Sequence, residues 1–272
     1  MGTSIAYKNS IIDYCHYGSG DEILICLHGF GEDATSFSIF KNNISNRFTI
    51  IAINMPFHGA TVWNQGLLFS PADLHEIIES LVKICKPQTA DFKIYFLGYS
   101  MGGRLGLSYF QQYPQFVKSI SLVAPDGLHK NNWYWFATQT TIGNRLFKFT
   151  MQQPQWFMGI VKLLGKIGLL NKSVAKFVAY YLDDETIRTA LYKRWTTMRK
   201  FRPNLPLIKK LVAANKVPVK MLFGEHDRII LYQRGQNFQQ GLDELIEVKI
   251  IKAGHQLLQE KYVAEIAKLL AD

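Results

Sequence analysis

The stretch from Lys93 to Gly106 limits what this chain can fold into more than any other. It reads Lys93-Ile94-Tyr95-Phe96-Leu97-Gly98-Tyr99-Ser100-Met101-Gly102-Gly103-Arg104-Leu105-Gly106. An apolar, partly aromatic run of strand length meets a Gly-x-Ser-x-Gly. A segment with helical spacing follows, in which Leu105, Tyr109 and Phe110 share a face. That order describes a strand turning sharply into a helix. Gly98 and Gly102 let backbone pack where a Cβ would clash, and the serine between them stands out from the top of a sheet. The helix that begins there offers free N–H groups and the positive end of its dipole beside the hydroxyl. A nucleophile for acyl transfer needs both features, so Ser100 is the candidate nucleophile.

The rest of the chain repeats the alternation. Ile23 to Leu27 and Phe48 to Ile53 are short continuous apolar runs, as expected of strands buried on both faces. Val117–Val123, Val217–Phe223 and Leu245–Ile251 read the same way, and residues 3–7 and 10–16 suggest an N-terminal strand pair. Helices are expected near Thr35–Asn43, after Ser70 (with Pro71 and Asp73 as start signals), over Tyr232–Gly241 and over Leu257–Ala271. The fold class is α/β, with a mostly parallel, doubly wound sheet of about eight strands. From Leu128 to Lys210 the alternation stops and the sequence turns helical, aromatic and basic. Residues 1–127 and 211–272 are therefore expected to form the core, and 128–210 an inserted helical cap over the carboxyl ends of the strands.

Charge follows the same division. The chain of 272 residues carries a net charge of +10. Residues 128–210 hold 15 Lys or Arg against three acids, Asp183, Asp184 and Glu185, so the basicity belongs to that segment. Trp133, Trp135, Trp156 and Trp195 lie there too, and Lys162 and Lys166 share a helical face. Three separated cysteines, Cys15, Cys26 and Cys85, in apolar contexts read as small buried hydrophobes of a reducing compartment. The histidines show no metal spacing, and neither a metal nor a cofactor is expected. The N-terminus is polar, and no uncharged apolar run reaches the roughly 18 residues of a membrane span, so a cytoplasmic location is expected.

A serine hydroxyl needs a base in hydrogen-bond reach, and the base needs an acid to fix its tautomer. In such a sheet each partner belongs on a loop just past a strand. His255 follows 245–251 and is the candidate base. Asp227 follows 217–223 and is the candidate acid, with Asp126, after 117–123, as the rival. Two backbone N–H groups must hold the developing oxyanion. Met101, after the serine, offers one, and Phe30 of His28-Gly29-Phe30-Gly31 the other.

Taken together, the His28-Gly29 loop, Pro56-x-His58-Gly59, the Gly98–Gly102 turn, Asp227 and His255 resemble the α/β-hydrolase fold family, in its cap-bearing branch of serine hydrolases. Asn54 and Phe57 depart from the Asp-x-Pro-Gly-His-Gly frequent in that family. A serine at position 100 sets the chain apart from the members that use aspartate there. Gly98 to Leu105 is also similar to the corresponding turn of the succinyl-hydroxy-cyclohexadiene-carboxylate synthases of menaquinone biosynthesis. Those are lyases that eliminate pyruvate, and the resemblance implies a carboxylate-holding role for Arg104.

The resemblance leads to a serine esterase or lipase-like hydrolase acting on an apolar substrate. A menaquinone-type lyase, a carbon–carbon bond hydrolase and a non-catalytic scaffold are the alternatives. Tyr99, Arg104, Trp133 and Trp135 are the substrate-binding candidates. The basic, aromatic cap allows a solvated cover, weak association with an anionic membrane surface, or arginines that hold an anionic substrate. No nucleic-acid module is present, and none is expected as a partner.

Overall fold

The computed structural model describes residues 3–87, 91–166 and 182–271; at 162 and 164–166 it describes the backbone alone. An antiparallel hairpin of β1 (Thr3–Tyr7) and β2 (Ser10–Tyr17) opens the chain. Then come β3 (Glu22–Leu27), β4 (Phe48–Ile53), β5 (Ile94–Tyr99), β6 (Val117–Val123), β7 (Val219–Gly224) and β8 (Ile246–Ile251). All eight join one sheet in the order β1-β2-β4-β3-β5-β6-β7-β8. From β4 to β8 every neighbouring pair is parallel, and β2 runs antiparallel to β4. The continuous apolar runs are the reason. Every residue of β4 and β5 is buried, which is possible only where both faces are covered.

On one face, Leu24, Ile50 and Leu97 pack with Phe37 and Phe40 of a 3-10 turn, Ala34–Phe40, and with Ile266 and Leu269 near the C-terminus. On the other, helix α1 (Pro71–Cys85) packs beside α2 (Met101–Gln112), and the ring of Phe96 meets Tyr109 of α2 edge-on at 5.0 Å. Helix α1 begins as its sequence predicts. Ser70 caps it, Pro71 opens it, and the Asp73 carboxylate accepts from the Ser70 backbone N–H, closing a capping box.

Helices α3 (Asn132–Gln139), α4 (Thr141–Gln152), α5 (Gln155–Lys166) and α6 (Glu185–Thr197) follow β6. Beyond them lie α7 (Leu205–Asn215), α8 (Gln233–Gln239) and α9 (Val263–Leu269). The chain divides into two compact units. One holds 1–65, 69–129 and 200–272, and the other holds 66–68 and 130–199.

Two boundaries differ from the sequence reading. The sequence places the end of the inserted segment at 210, but residues 200–210 fall in the sheet unit. There α7 buries Ile208 and Val212, and the Asn204 backbone N–H donates to Gln111 of α2 at 2.6 Å. The last helix, expected from Leu257, starts at Val263. Leu257 is instead fully buried, and a tight turn in which the Gln259 N–H donates to the Leu257 carbonyl holds the chain out of helix. The expected shared face of Lys162 and Lys166 falls on side chains outside the described ones.

Candidate active site

Ser100 sits between β5 and α2 with φ 48° and ψ −111°, a conformation that costs a non-glycine residue energy. Its neighbours hold it there. The Ser100 N–H donates to the Val123 carbonyl at 2.9 Å, and its own carbonyl accepts from Gly103 and Asp126. The turn demands glycine at two places. A Cβ on Gly102 would stand 1.9 Å from the Leu27 carbonyl oxygen, and one on Gly98 would stand 2.7 Å from that of Gly102.

The structure brings Ser100, His255 and Asp227 together. Ser100 Oγ lies 3.2 Å from His255 Nε2, and His255 Nδ1 lies 2.7 Å from Asp227 Oδ2. With the proton on Nδ1, the imidazole donates to the carboxylate and Nε2 accepts from the serine hydroxyl. Asp227 is 4% exposed. Burial alone would raise its pKa, but the bond from His255 and the N–H groups of Ile230 and Ile229 on Oδ1 outweigh that and hold it below the ordinary carboxylate range. The loops carrying acid and base touch through backbone. The His226 N–H donates to the Ala253 carbonyl, and a Cβ on Gly224 would meet the Gly254 oxygen at 2.4 Å. Asp126, the rival acid, turns elsewhere: its carboxylate faces Arg104 Nε at 3.4 Å and accepts from the Gly127 N–H.

Met101 is the first residue of α2, where a backbone N–H has no intrahelical acceptor. Phe30 lies in the turn after β3. His28 ties that turn down: its Nδ1 donates to the Gly29 carbonyl at 2.8 Å, while its Nε2 accepts from the Met55 N–H at 3.1 Å. Asn54, in place of the family's acid, accepts from the Ala34 N–H and donates to Asp13. An amide can do both, which a carboxylate cannot.

The substrate-binding candidates separate. Tyr99 is 3% exposed, and its hydroxyl donates to the His255 carbonyl at 3.2 Å, which ties it to the histidine loop. Arg104 is 8% exposed and paired with Asp126. Trp133 and Trp135 belong to α3 in the second unit, both exposed, with Lys130 over the Trp135 ring at 4.5 Å.

One residue escapes the sequence reading. Glu32 follows the Phe30 turn, and its Oε2 is buried with no hydrogen-bond partner among the described residues. Burial pushes its pKa up to about 7, against the pull of the nearby His255 and with the help of Asp33. An acid in a Gly-Glu-Asp turn gives no sequence signal of burial. Among the described residues, no group of His, Cys, Asp or Glu could hold a metal ion.

Residues 22–262 match the alpha/beta hydrolase fold family, and the chain belongs to it. It is a hydrolase of the α/β type. An uncharacterized hydrolase of Bacillus subtilis, YugF, is 23% identical over 266 residues, spanning 95% of this chain and 92% of that protein. A carboxylesterase structure from the thaumarchaeon Nitrososphaera gargenis superposes with a TM-score of 0.66 at 15% identity, covering 98% of this chain and 96% of the other. A thermophilic esterase from Thermogutta terrifontis gives 0.65 at 17%, covering 99% and 98%. At these identities the structural likeness speaks for the fold.

Proposed function

We propose that the protein is a serine esterase, or a hydrolase of a related acyl bond, acting on an apolar substrate through an acyl-enzyme. The hydrogen-bonded chain Ser100–His255–Asp227 carries this reading. Ser100 Oγ attacks the carbonyl carbon while His255 Nε2 takes the hydroxyl proton. Asp227 keeps the imidazole in the accepting tautomer and stabilises its positive charge. The N–H groups of Met101 and Phe30 hold the oxyanion as the carbonyl becomes tetrahedral. His255 then protonates the departing alcohol. Water repeats the cycle on the acyl-serine and releases the acid. Structures that share this fold include a carboxylesterase and an esterase, a reaction class that the same chain of hydroxyl, imidazole and carboxylate can serve.

The lyase reading relies on Arg104 to hold a substrate carboxylate. Its guanidinium already faces Asp126 and is buried, which favours the esterase. The test is labelling with a fluorophosphonate beside hydrolysis of p-nitrophenyl esters of graded acyl length. Labelling and turnover, both lost in Ser100→Ala, are the expected result. Labelling without turnover of any ester would overturn the esterase, and a folded protein that takes no label would overturn the nucleophile itself.

A further inference from the structure

Helices α4 and α5 each turn an apolar row outward. On α4, Ile142, Leu146 and Phe149 follow one another at four and three residues, so they share one face. They are 76%, 39% and 52% exposed. On α5, Trp156, Ile160 and Leu163 have the same spacing and are 37%, 43% and 59% exposed. The rings of Phe149 and Trp156 lie 6.3 Å apart, which joins the two rows into one ribbon. The packed side of α4 lies off this row, with Gly143, Thr150 and Met151 buried. Apolar surface gathered in this way on a globular protein marks a place where something docks.

We propose that this ribbon seats the protein on the surface of an anionic lipid membrane. Charge selects that occupant. No acidic residue stands between Asp126 and Asp183, while Lys130, Arg145 and Lys148, all exposed, do. Arg145 and Lys148 lie on α4 itself, both exposed, and Arg145 borders the apolar row at three and four residues from Ile142 and Phe149. A second copy of the chain would bring the same positive charge to the contact and be repelled. A bilayer with acidic headgroups offers the complement, with apolar depth for Ile142 and Leu163 below it. Trp156 and Phe149 suit the boundary between the two, where an aromatic ring is partly dehydrated. Helices of this kind lie in the plane of the interface and do not cross it, and no described helix is long and apolar enough to span a membrane. The proposal is independent of the chemistry at Ser100.

The test is co-sedimentation of the full chain with phosphatidylcholine vesicles, with and without phosphatidylglycerol. Binding to the phosphatidylglycerol vesicles is expected, weakened by added salt and nearly absent on phosphatidylcholine alone. The Phe149→Ser/Trp156→Ser variant should bind about tenfold more weakly. Arg145→Gln/Lys148→Gln should lose most of the salt dependence while keeping the wild-type circular dichroism and fluorophosphonate labelling. Should the aromatic variant fail to fold, Ile142→Cys carrying an environment-sensitive fluorophore replaces it, with a blue shift expected on phosphatidylglycerol vesicles. Binding to neither vesicle, equal binding to both, or a dimer in sedimentation equilibrium that disperses when Phe149 and Trp156 are replaced would overturn the proposal.

Discussion

Glu32 is a buried acid within electrostatic reach of His255. Burial favours the neutral carboxyl, and the folded state therefore holds the Glu32 proton to about pH 7, where the unfolded chain releases it near 4.5. A folded pKa raised above its unfolded value means stability that is complete below about 4.5 and is lost as pH climbs toward 7. Glu32→Gln should flatten that slope. At pH 8 it should be more stable than the wild type by about 1–2 kcal/mol, less than full linkage because the carboxyl is partly solvated. Urea titrations at a series of pH values would show it, and parallel curves for the two proteins would refute it. Sequence order alone singled out Ser100, His255 and Asp227 as candidates, because each follows an apolar run and stands in the order Ser, Asp, His, and the structure sets them in one hydrogen-bonded chain. It left Asp126 open as the acid, since position after a strand is shared and only side-chain direction separates the two. It missed Glu32, whose burial is a product of the fold and one of whose charged neighbours, His255, is more than 200 residues away in sequence.

Helix α1 shows how far local chemistry specifies an element. Ser70-Pro71-x-Asp73 announces its start, and the structure uses every part of that signal. Asp73 does more than cap: its Oδ1 accepts from the Tyr7 hydroxyl at 2.8 Å and from Lys8 Nζ at 2.9 Å, fastening β1 to the helix. Ser70→Ala should cost about 1 kcal/mol, the ordinary loss of a cap. Asp73→Ala should cost more, since the buried end of Tyr7 loses a partner as well. Chemical denaturation of both variants ranks them, and equal losses would mean the link to β1 contributes nothing. The C-terminal helix was less predictable. Residues 257–262 carry helical spacing, yet Leu257 contributes more to the core than to a helix and the helix starts at Val263. Likewise, counting basic residues extends the inserted segment to Lys210, whereas burial of Ile208 and Val212 assigns α7 to the sheet unit. Composition reports what a segment is made of, and packing decides what it belongs to.

Across the molecule, the segregation of charge is plain in the sequence, because clustering of Lys and Arg needs no fold to be seen. Which apolar residues of 130–199 face outward is not, since Trp, Phe and Leu at helical spacing describe an outward row and a core row equally well. The sheet has an asymmetry of its own. Ser100 hangs from β5, buried along its whole length near the middle, whereas His255 hangs from β8, the last strand, of which Ile246 alone is fully buried. Edges of a sheet open before its centre does, in excursions smaller than global unfolding. Enzymatic activity should therefore fade on heating several degrees before circular dichroism shows the sheet melting, and β8 amides should exchange with deuterium ahead of those of β5. Coincident loss of activity and sheet would show that β8 and β5 open as one unit. If they do not, the heat tolerance of the reaction is set by the grip on a single outer strand, and engineering for thermal endurance belongs at Lys249 and Glu265, which pin β8 to α9, before it belongs anywhere near the serine.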